Sequence, residues 1–189
     1  MKERLIKRFN KPFPVKNRLI PLIGDKKEVK IADVGSGPVS RIGELLPGVK
    51  IEIYPSDKKD YTKITWNGLG IKPRFPIEVQ NMEEFSYSDD FFDIVHCGNA
   101  LDHTRDAVAA IKEMIRIVKP EGWVYIDCSL DQLSVSGGRH FWDAKEDGTF
   151  INKNDSFSLK DMGFSIEFLD TPGERRYKRI IAIYKKLNI

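Results

Sequence analysis

The chain has 189 residues, of which 41% are hydrophobic and 31% charged, and its formal net charge is +3. That length and balance fit one domain with a sizeable core and exclude a disordered or collagen-like chain. The charge is too small to argue by itself for nucleic acid, and no apolar run approaches the ~18 residues of a membrane span. The N-terminus is basic (Lys2, Arg4, Lys7, Arg8) but lacks the apolar segment of a secretion signal. The expected location is the cytoplasm. Cys97 and Cys128 each lie inside or at the end of an apolar run. Neither has the spacing of a disulfide framework or a metal site, so both read as buried, reduced thiols, and no metal is expected.

Residues 1–28 read as an N-terminal cap, with Pro12, Pro14 and Pro21 and a short apolar piece from Arg18 to Ile23. Val29 to Val34 predicts a buried strand, followed by a Gly-rich turn at Gly35 to Pro38. A helix is expected over Arg41 to Leu46, stopped by Pro47-Gly48. The second strand is Lys50 to Tyr54, and a polar, helical piece follows over Lys58 to Leu69. The third strand is Ile77 to Gln80 and the fourth Phe92 to Cys97. Ala107 to Val118 carries the clearest helical periodicity, with Val108, Ile111, Ile115 and Val118 on one face. Lys119-Pro120-Glu121-Gly122 ends that helix in a turn, and Trp123 to Cys128 is a central fifth strand.

Residues 129–155 are irregular and read as a substrate-covering insertion. Asp147-Gly148 gives a hairpin signal between Phe141-Trp142 and Thr149 to Ile151. A short helix is expected over Phe157 to Met162. The sixth strand is Phe164 to Leu169 and the seventh Arg179 to Tyr184. With no helix between them, they predict an antiparallel hairpin at the sheet edge. The class is therefore α/β in a single domain. We expect a mostly parallel seven-stranded sheet, Rossmann-like, with an antiparallel last strand and helices on both faces. Ligands in such sheets bind beyond the carboxyl ends of the strands.

The residues at those ends narrow the ligand. Gly35 and Gly37 remove two Cβ atoms, which lets a ligand approach the backbone. Asp57 follows Gly37 by 20 residues, where a carboxylate suits the two hydroxyls of a ribose. A nicotinamide dehydrogenase and an S-adenosylmethionine enzyme both need that group. The dehydrogenase fingerprint continues with a third glycine or alanine, whereas Ser40 stands here. Asp33, directly before the glycines, would repel a pyrophosphate but accepts a hydrogen bond from water or an amino group.

Four stretches together carry a resemblance. They are Asp33-Val34-Gly35-Ser36-Gly37, the strand end at Asp57, Asn81-Met82-Glu83 with Asp93-Ile94-Val95 downstream, and Ile117 to Gly122 before the fifth strand. Over roughly residues 29–185 the chain resembles the class I S-adenosylmethionine-dependent methyltransferases. The resemblance implies S-adenosylmethionine as cofactor, with Asp33 at the site and Gly35, Ser36 and Gly37 along the methionine part. It implies Asp57 on the ribose, Asn81 and Met82 at the adenine, and Cys97, Gly98 and Asn99 at the methyl-donor end. The chain departs from the family pattern at Val39 (usually glycine), Glu121 (usually glycine) and Asn81 (more commonly aspartate). These departures suggest weaker cofactor affinity with the site retained.

The acceptor is less specified. Methyl transfer depends on positioning, and an oxygen or nitrogen acceptor also calls for a base. His96, inside the fourth strand, reads as a packed histidine. Asp102 and His103 lie in the loop after that strand, and His140 lies in a glycine-led, basic and aromatic segment. These three are the catalytic candidates. Their segments are loosely similar to those of methyltransferases near bacterial sugar and cell-surface glycan clusters, which implies a small-molecule or glycan-precursor acceptor methylated at oxygen. The basic ends (residues 2–18 and 174–186) keep RNA as an alternative. The Asn/Asp-Pro-Pro-aromatic signature of nucleic-acid amino methyltransferases is absent after the fourth strand. A methyltransferase fold that binds without turnover and a nicotinamide-cofactor oxidoreductase are the remaining alternatives.

Overall fold

The computed structural model describes residues 3, 18–40, 42–61, 70, 74–133, 140–170 and 178–188. In chain order the strands are β1 (Glu28–Val34), β2 (Lys50–Asp57), β3 (Glu78–Val79), β4 (Phe92–Gly98), β5 (Val118–Ser129), β6 (Asp143–Ala144), β7 (Thr149–Ile151), β8 (Ser156–Ser158), β9 (Ser165–Asp170) and β10 (Lys178–Lys185). Two α-helices, α1 (Ile20–Ile23) and α2 (Ala107–Ile117), and a 3-10 turn (Leu101–His103) complete the described elements. The main sheet has seven strands in the order β3-β2-β1-β4-β5-β10-β9. β1 to β5 pair in parallel, and β10 runs antiparallel to both β5 and β9. The expected sheet and edge hairpin are both present. The strand order reverses beside β1, so the crevice of an α/β sheet opens between the ends of β1 and β4.

Both faces of the sheet are covered, each by its own core. Val34, Val95, Cys97, Ile126 and Cys128 pack against Ala107, Ala110, Ile111, Met114 and Ile117 of α2. On the other face Val29, Ile31, Ile53, Ile94 and Tyr125 pack under Leu19, Ile23 and Ile42. Each large aliphatic side chain buried this way stabilises the fold by about 1.5–3 kcal/mol. Asp106 caps α2, its carboxylate accepting a 2.8 Å hydrogen bond from the Ala109 N–H. Arg116 then ties α2 to the loop after β3, donating to the Tyr87 carbonyl (2.9 Å), the Phe85 carbonyl (3.1 Å) and Asp89 (2.6 Å). Asp93 is a second tie. It accepts from the Lys30 N–H (2.9 Å) and Lys26 (3.0 Å), and Lys119 stands 3.3 Å away.

Several local expectations are corrected. The helix expected over 41–46 does not form among the described residues. Its six positions include Gly43 and run into Pro47, which is too short to offset helix nucleation. The segment closes instead as a turn, with Val49 N–H donating to Leu46 C=O at 3.1 Å and Gly48 at φ +75°. The buried face of α2 is Ala107, Ala110, Ile111, Met114 and Ile117, rotated away from Val108 and Ile115. The turn expected at 119–122 is a bulge inside β5, where the register shifts against β4 and Glu121 adopts φ +63°. Phe157 lies on β8 rather than on a helix, paired with Phe150 and stacked on it at 5.2 Å. The Asp147-Gly148 hairpin is present, joining β6 to β7. Of the helix expected over 58–69, Lys58 and Lys59 form a bend and residues 62–69 fall outside the described residues, as does the Pro172-Gly173 turn.

Candidate active site

A cavity of about 420 Å³ lies beyond the ends of β1, β2, β3 and β4. Its floor is the turn after β1. Gly35 sits at φ +65°, and a Cβ there would stand 2.3 Å from the Ala100 Cβ and 3.1 Å from the Met82 Cε. Only glycine fits between those two loops. Gly37 is at φ +67° with no atom near its missing Cβ, so its backbone is open to a ligand. Asp57 closes the end of β2. Its carboxylate accepts from the Gly37 N–H (3.1 Å) and the Lys59 N–H (3.0 Å), which joins the two loops beside the cavity.

The opposite wall is equally tied. Glu83 accepts from the Arg105 N–H at 2.8 Å, linking the loop after β3 to the loop after β4. Asn99, at φ +51°, accepts from the Ser129 N–H (2.8 Å) and hydroxyl (2.9 Å), linking the ends of β4 and β5. Asn81, Met82, Asn99 and His103 line the cavity as the sequence suggests. Lys58, Tyr61, Glu83 and Thr104 line it too. Glu83 closes the Asn81-Met82-Glu83 stretch, whereas Lys58, Tyr61 and Thr104 belong to irregular segments without a motif of their own, so no local signal marks those three.

Four other candidates stand elsewhere. Cys97 is a correction: its side chain is fully buried in the α2-side core and does not line the cavity. Side chains alternate along β4, so Cys97 points with Val95 to one face while His96 and Gly98 serve the other. Burial, with the charges of Asp102 and Asp33 nearby, pushes its thiol well above the usual range, which removes it as a nucleophile. Ser36 turns its hydroxyl to the Gly37 carbonyl (3.1 Å). Gly98 borders a different cavity, described below. Asp33 is buried under the turn, its Oδ1 2.7 Å from the His96 Nδ1, and it lines neither cavity. His96 is packed as expected, but packed against a carboxylate.

Asp102, His103 and His140 do come together. Asp102 Oδ2 lies 2.6 Å from His140 Nδ1, and the His103 and His140 ring centroids are 4.3 Å apart. The Phe141 and Trp142 N–H groups donate to the Asp102 carbonyl (2.8 and 3.3 Å), and the Trp142 indole donates to the Thr104 carbonyl (3.1 Å). Trp142 is therefore a packed side chain. His103 faces the 420 Å³ cavity, while His140 faces a shallower one with Arg105, Lys153 and Asn154. Asp102 Oδ1 is buried with no hydrogen-bond partner among the described residues. The three side chains offer ligand atoms within 4.8 Å of one another, a donor set that suits a divalent transition ion. The carboxylate–imidazole hydrogen bond already engages two of those atoms with each other.

The larger cavity fits S-adenosylmethionine on its own chemistry. Its volume suits a ligand of that size, the glycine turn leaves backbone exposed, and a carboxylate and the apolar Met82 stand on different loops. Residues 32–126, half of the chain, match the family model described as a methyltransferase domain, and the chain belongs to that family. The family's domain is that of a methyltransferase, and a class I methyltransferase domain implies S-adenosylmethionine as the cofactor. Over 120 residues it is 28% identical to a tRNA U34 carboxymethyltransferase from Trichodesmium erythraeum (strain IMS101), covering 59% of this chain and 35% of that protein. The chain thus spans about a third of that relative. Among solved structures, a methyltransferase from Haloferax volcanii in complex with the Trm112 activator superposes with a TM-score of 0.62 at 12% identity, covering 88% of this chain and 85% of that one. An S-adenosylmethionine-dependent methyltransferase from Aquifex aeolicus gives 0.54 at 15% identity over 99% of both chains. At those identities the two structures speak for the fold. No helix among the described residues is long and apolar enough to cross a membrane.

Proposed function

We propose that the chain methylates an oxygen of a small polar or glycan-precursor acceptor, with Asp102, His103 and His140 handling the acceptor's proton. The observation that supports this is the Asp102–His140 pair beside His103, with the two imidazole centroids 4.3 Å apart and His103 at the wall of the cofactor cavity. When bound, the cofactor supplies an electrophilic methyl group on a sulfonium. Asp57 takes the ribose hydroxyls, the Gly35–Gly37 backbone runs along the methionine part, and Asn81 and Met82 flank the adenine. Asn99 sits at the donor end. Asp102 orients the His140 ring through Nδ1, as a carboxylate orients the imidazole of a catalytic triad. His140 then takes the acceptor's proton as the oxygen attacks, and His103 positions the acceptor at the wall of the cofactor cavity.

RNA is the second reading, and the likeness to the tRNA-modifying relative supports it. A methyl-labelled donor, offered with sugar nucleotides, simple sugar acids and bulk tRNA, separates the two. Label in a small polar acceptor supports the first reading, and label confined to tRNA replaces it with the second. A chain that binds S-adenosylhomocysteine but labels nothing contradicts both.

A further inference from the structure

A second cavity, of about 410 Å³, opens on the face of the sheet away from α2. It lies over the ends of β4, β5 and β10 and is lined by His96, Gly98, Tyr125, Asp127, Ser129 and Arg179, with Arg18 from the N-terminal segment. Its existence follows from the missing helix. The chain between β1 and β2 crosses this face without a helix among the described residues, and Ile42 and Leu19 border the cavity rather than fill it.

Its chemistry is the opposite of the cofactor cavity's. The cofactor cavity carries two carboxylates, Asp57 and Glu83, against one ammonium, Lys58, among the described residues. That balance suits a sulfonium. Among its described lining residues the second cavity carries two guanidinium groups, Arg18 and Arg179, against one carboxylate, Asp127. Arg179 donates to Asp127 from Nε at 2.7 Å and meets the same carboxylate with Nη2, and Arg18 reaches out to Glu167 with both Nη groups, Nη2 at 3.0 Å. A guanidinium has five donors, and one carboxylate leaves several of them available. The floor is rigid and polar. His96 is held by Asp33 and stacked on Tyr125 at 5.6 Å, and its far edge lies against Gly98, where a Cβ would stand 3.0 Å from Cε1. Asn99 lines both cavities and is the hinge between them.

We propose that the second cavity holds the methyl acceptor by an acidic group, a carboxylate or a phosphate, bound by Arg18 and Arg179. The rest of the acceptor then passes Asn99 toward the cofactor and His103. This rests on the methyl-transfer reading above and adds the acceptor's chemical class and its binding face. It also gives His96 a role beyond packing, as part of a preorganised floor.

The test uses the whole chain saturated with S-adenosylhomocysteine, with inorganic phosphate and acetate as separate probes at constant ionic strength. Nuclear magnetic resonance follows the His96 ring and the Asn99 and Arg179 side-chain signals. Saturable shifts with either anion are expected, weakened by about tenfold in Arg179→Gln and in Arg18→Gln, with S-adenosylhomocysteine affinity retained. The anion that binds more tightly tells phosphate from carboxylate. Arg18 lies at the rim, so Arg18→Gln carries the test if Arg179→Gln, which loses the Asp127 pair, fails to fold. Unsaturable shifts with both anions, or equal affinity in the folded variants, overturn the proposal. Failure of the unmodified chain to bind S-adenosylhomocysteine counts against the methyl-transfer reading instead.

Discussion

The protein carries two aspartate–histidine pairs at the same end of its sheet, and by simple measures they are twins. The Asp33–His96 contact is 2.7 Å and the Asp102–His140 contact 2.6 Å. The histidine side chains are 12% and 11% exposed, so burial does not separate them. In each pair one carboxylate oxygen has no hydrogen-bond partner among the described residues. What differs is the backbone beneath. Asp33 and His96 are register partners on adjacent central strands, β1 and β4. Asp102 and His140 sit on two loops, fastened by three hydrogen bonds from the 141–142 segment. A carboxylate–imidazole pair is thus frame in one place and tool in the other. The strand pair fixes the floor of the site, and the loop pair is placed where reacting groups are usually carried, on loops held by a rigid scaffold.

The test of this difference with the largest effect on stability is Asp33→Ala. Removing Asp33 leaves the His96 Nδ1 without its buried partner, and the fold should lose about 1–3 kcal/mol in denaturant unfolding. A loss below about 1 kcal/mol would erase the distinction between frame and tool. His140→Ala should do the reverse, lowering turnover by about 10²–10⁴-fold through loss of the proton acceptor while cofactor affinity holds. Parallel loss of stability and turnover in both variants would show one coupled unit instead.

A smaller effect is expected in acid, and it belongs to the frame. Burial raises the Asp93 carboxyl, but the Lys30 N–H and the Lys26 and Lys119 ammonium groups outweigh it, so its pKa lies below the usual range. The Arg116 guanidinium lowers Glu113 despite partial burial. Depressed carboxyls add stability that is fully present above their unfolded value near 4 and is lost as pH falls through the lower folded value. Each should contribute about 1 kcal/mol or less, and Glu113→Gln should flatten the acid limb of stability against pH. An unchanged limb would remove Glu113 from this account.

Local features of the site were legible in the sequence. The glycine turn and Asp57 are near neighbours along the chain, and their spacing carries the ligand. Strand pairing is not local. Asp33 and His96 are 63 residues apart, and nothing in either neighbourhood announces that β1 and β4 are adjacent. Asp102 and His140 were each visible as candidates, while their contact depends on how the 140–142 segment returns to the turn after β4. The resemblance marks the end of β4 but not the direction of each side chain there, so it sets Cys97 at the donor end although the side chain faces the core. The buried face of α2 also differs from the expected one. Ala107, Ala110 and Met114 bury as well as the larger residues, but weigh little in a hydrophobic pattern.

The account stands on the cofactor lying between the glycine turn and Asp57. Calorimetric titration with S-adenosylhomocysteine of the unmodified chain and of Asp57→Ala tests that directly. Charged hydrogen bonds of this kind contribute about 1.5–3 kcal/mol, so the unmodified chain should bind and Asp57→Ala should bind about 10–100-fold more weakly. No binding by the unmodified chain, or equal binding by both, would contradict it.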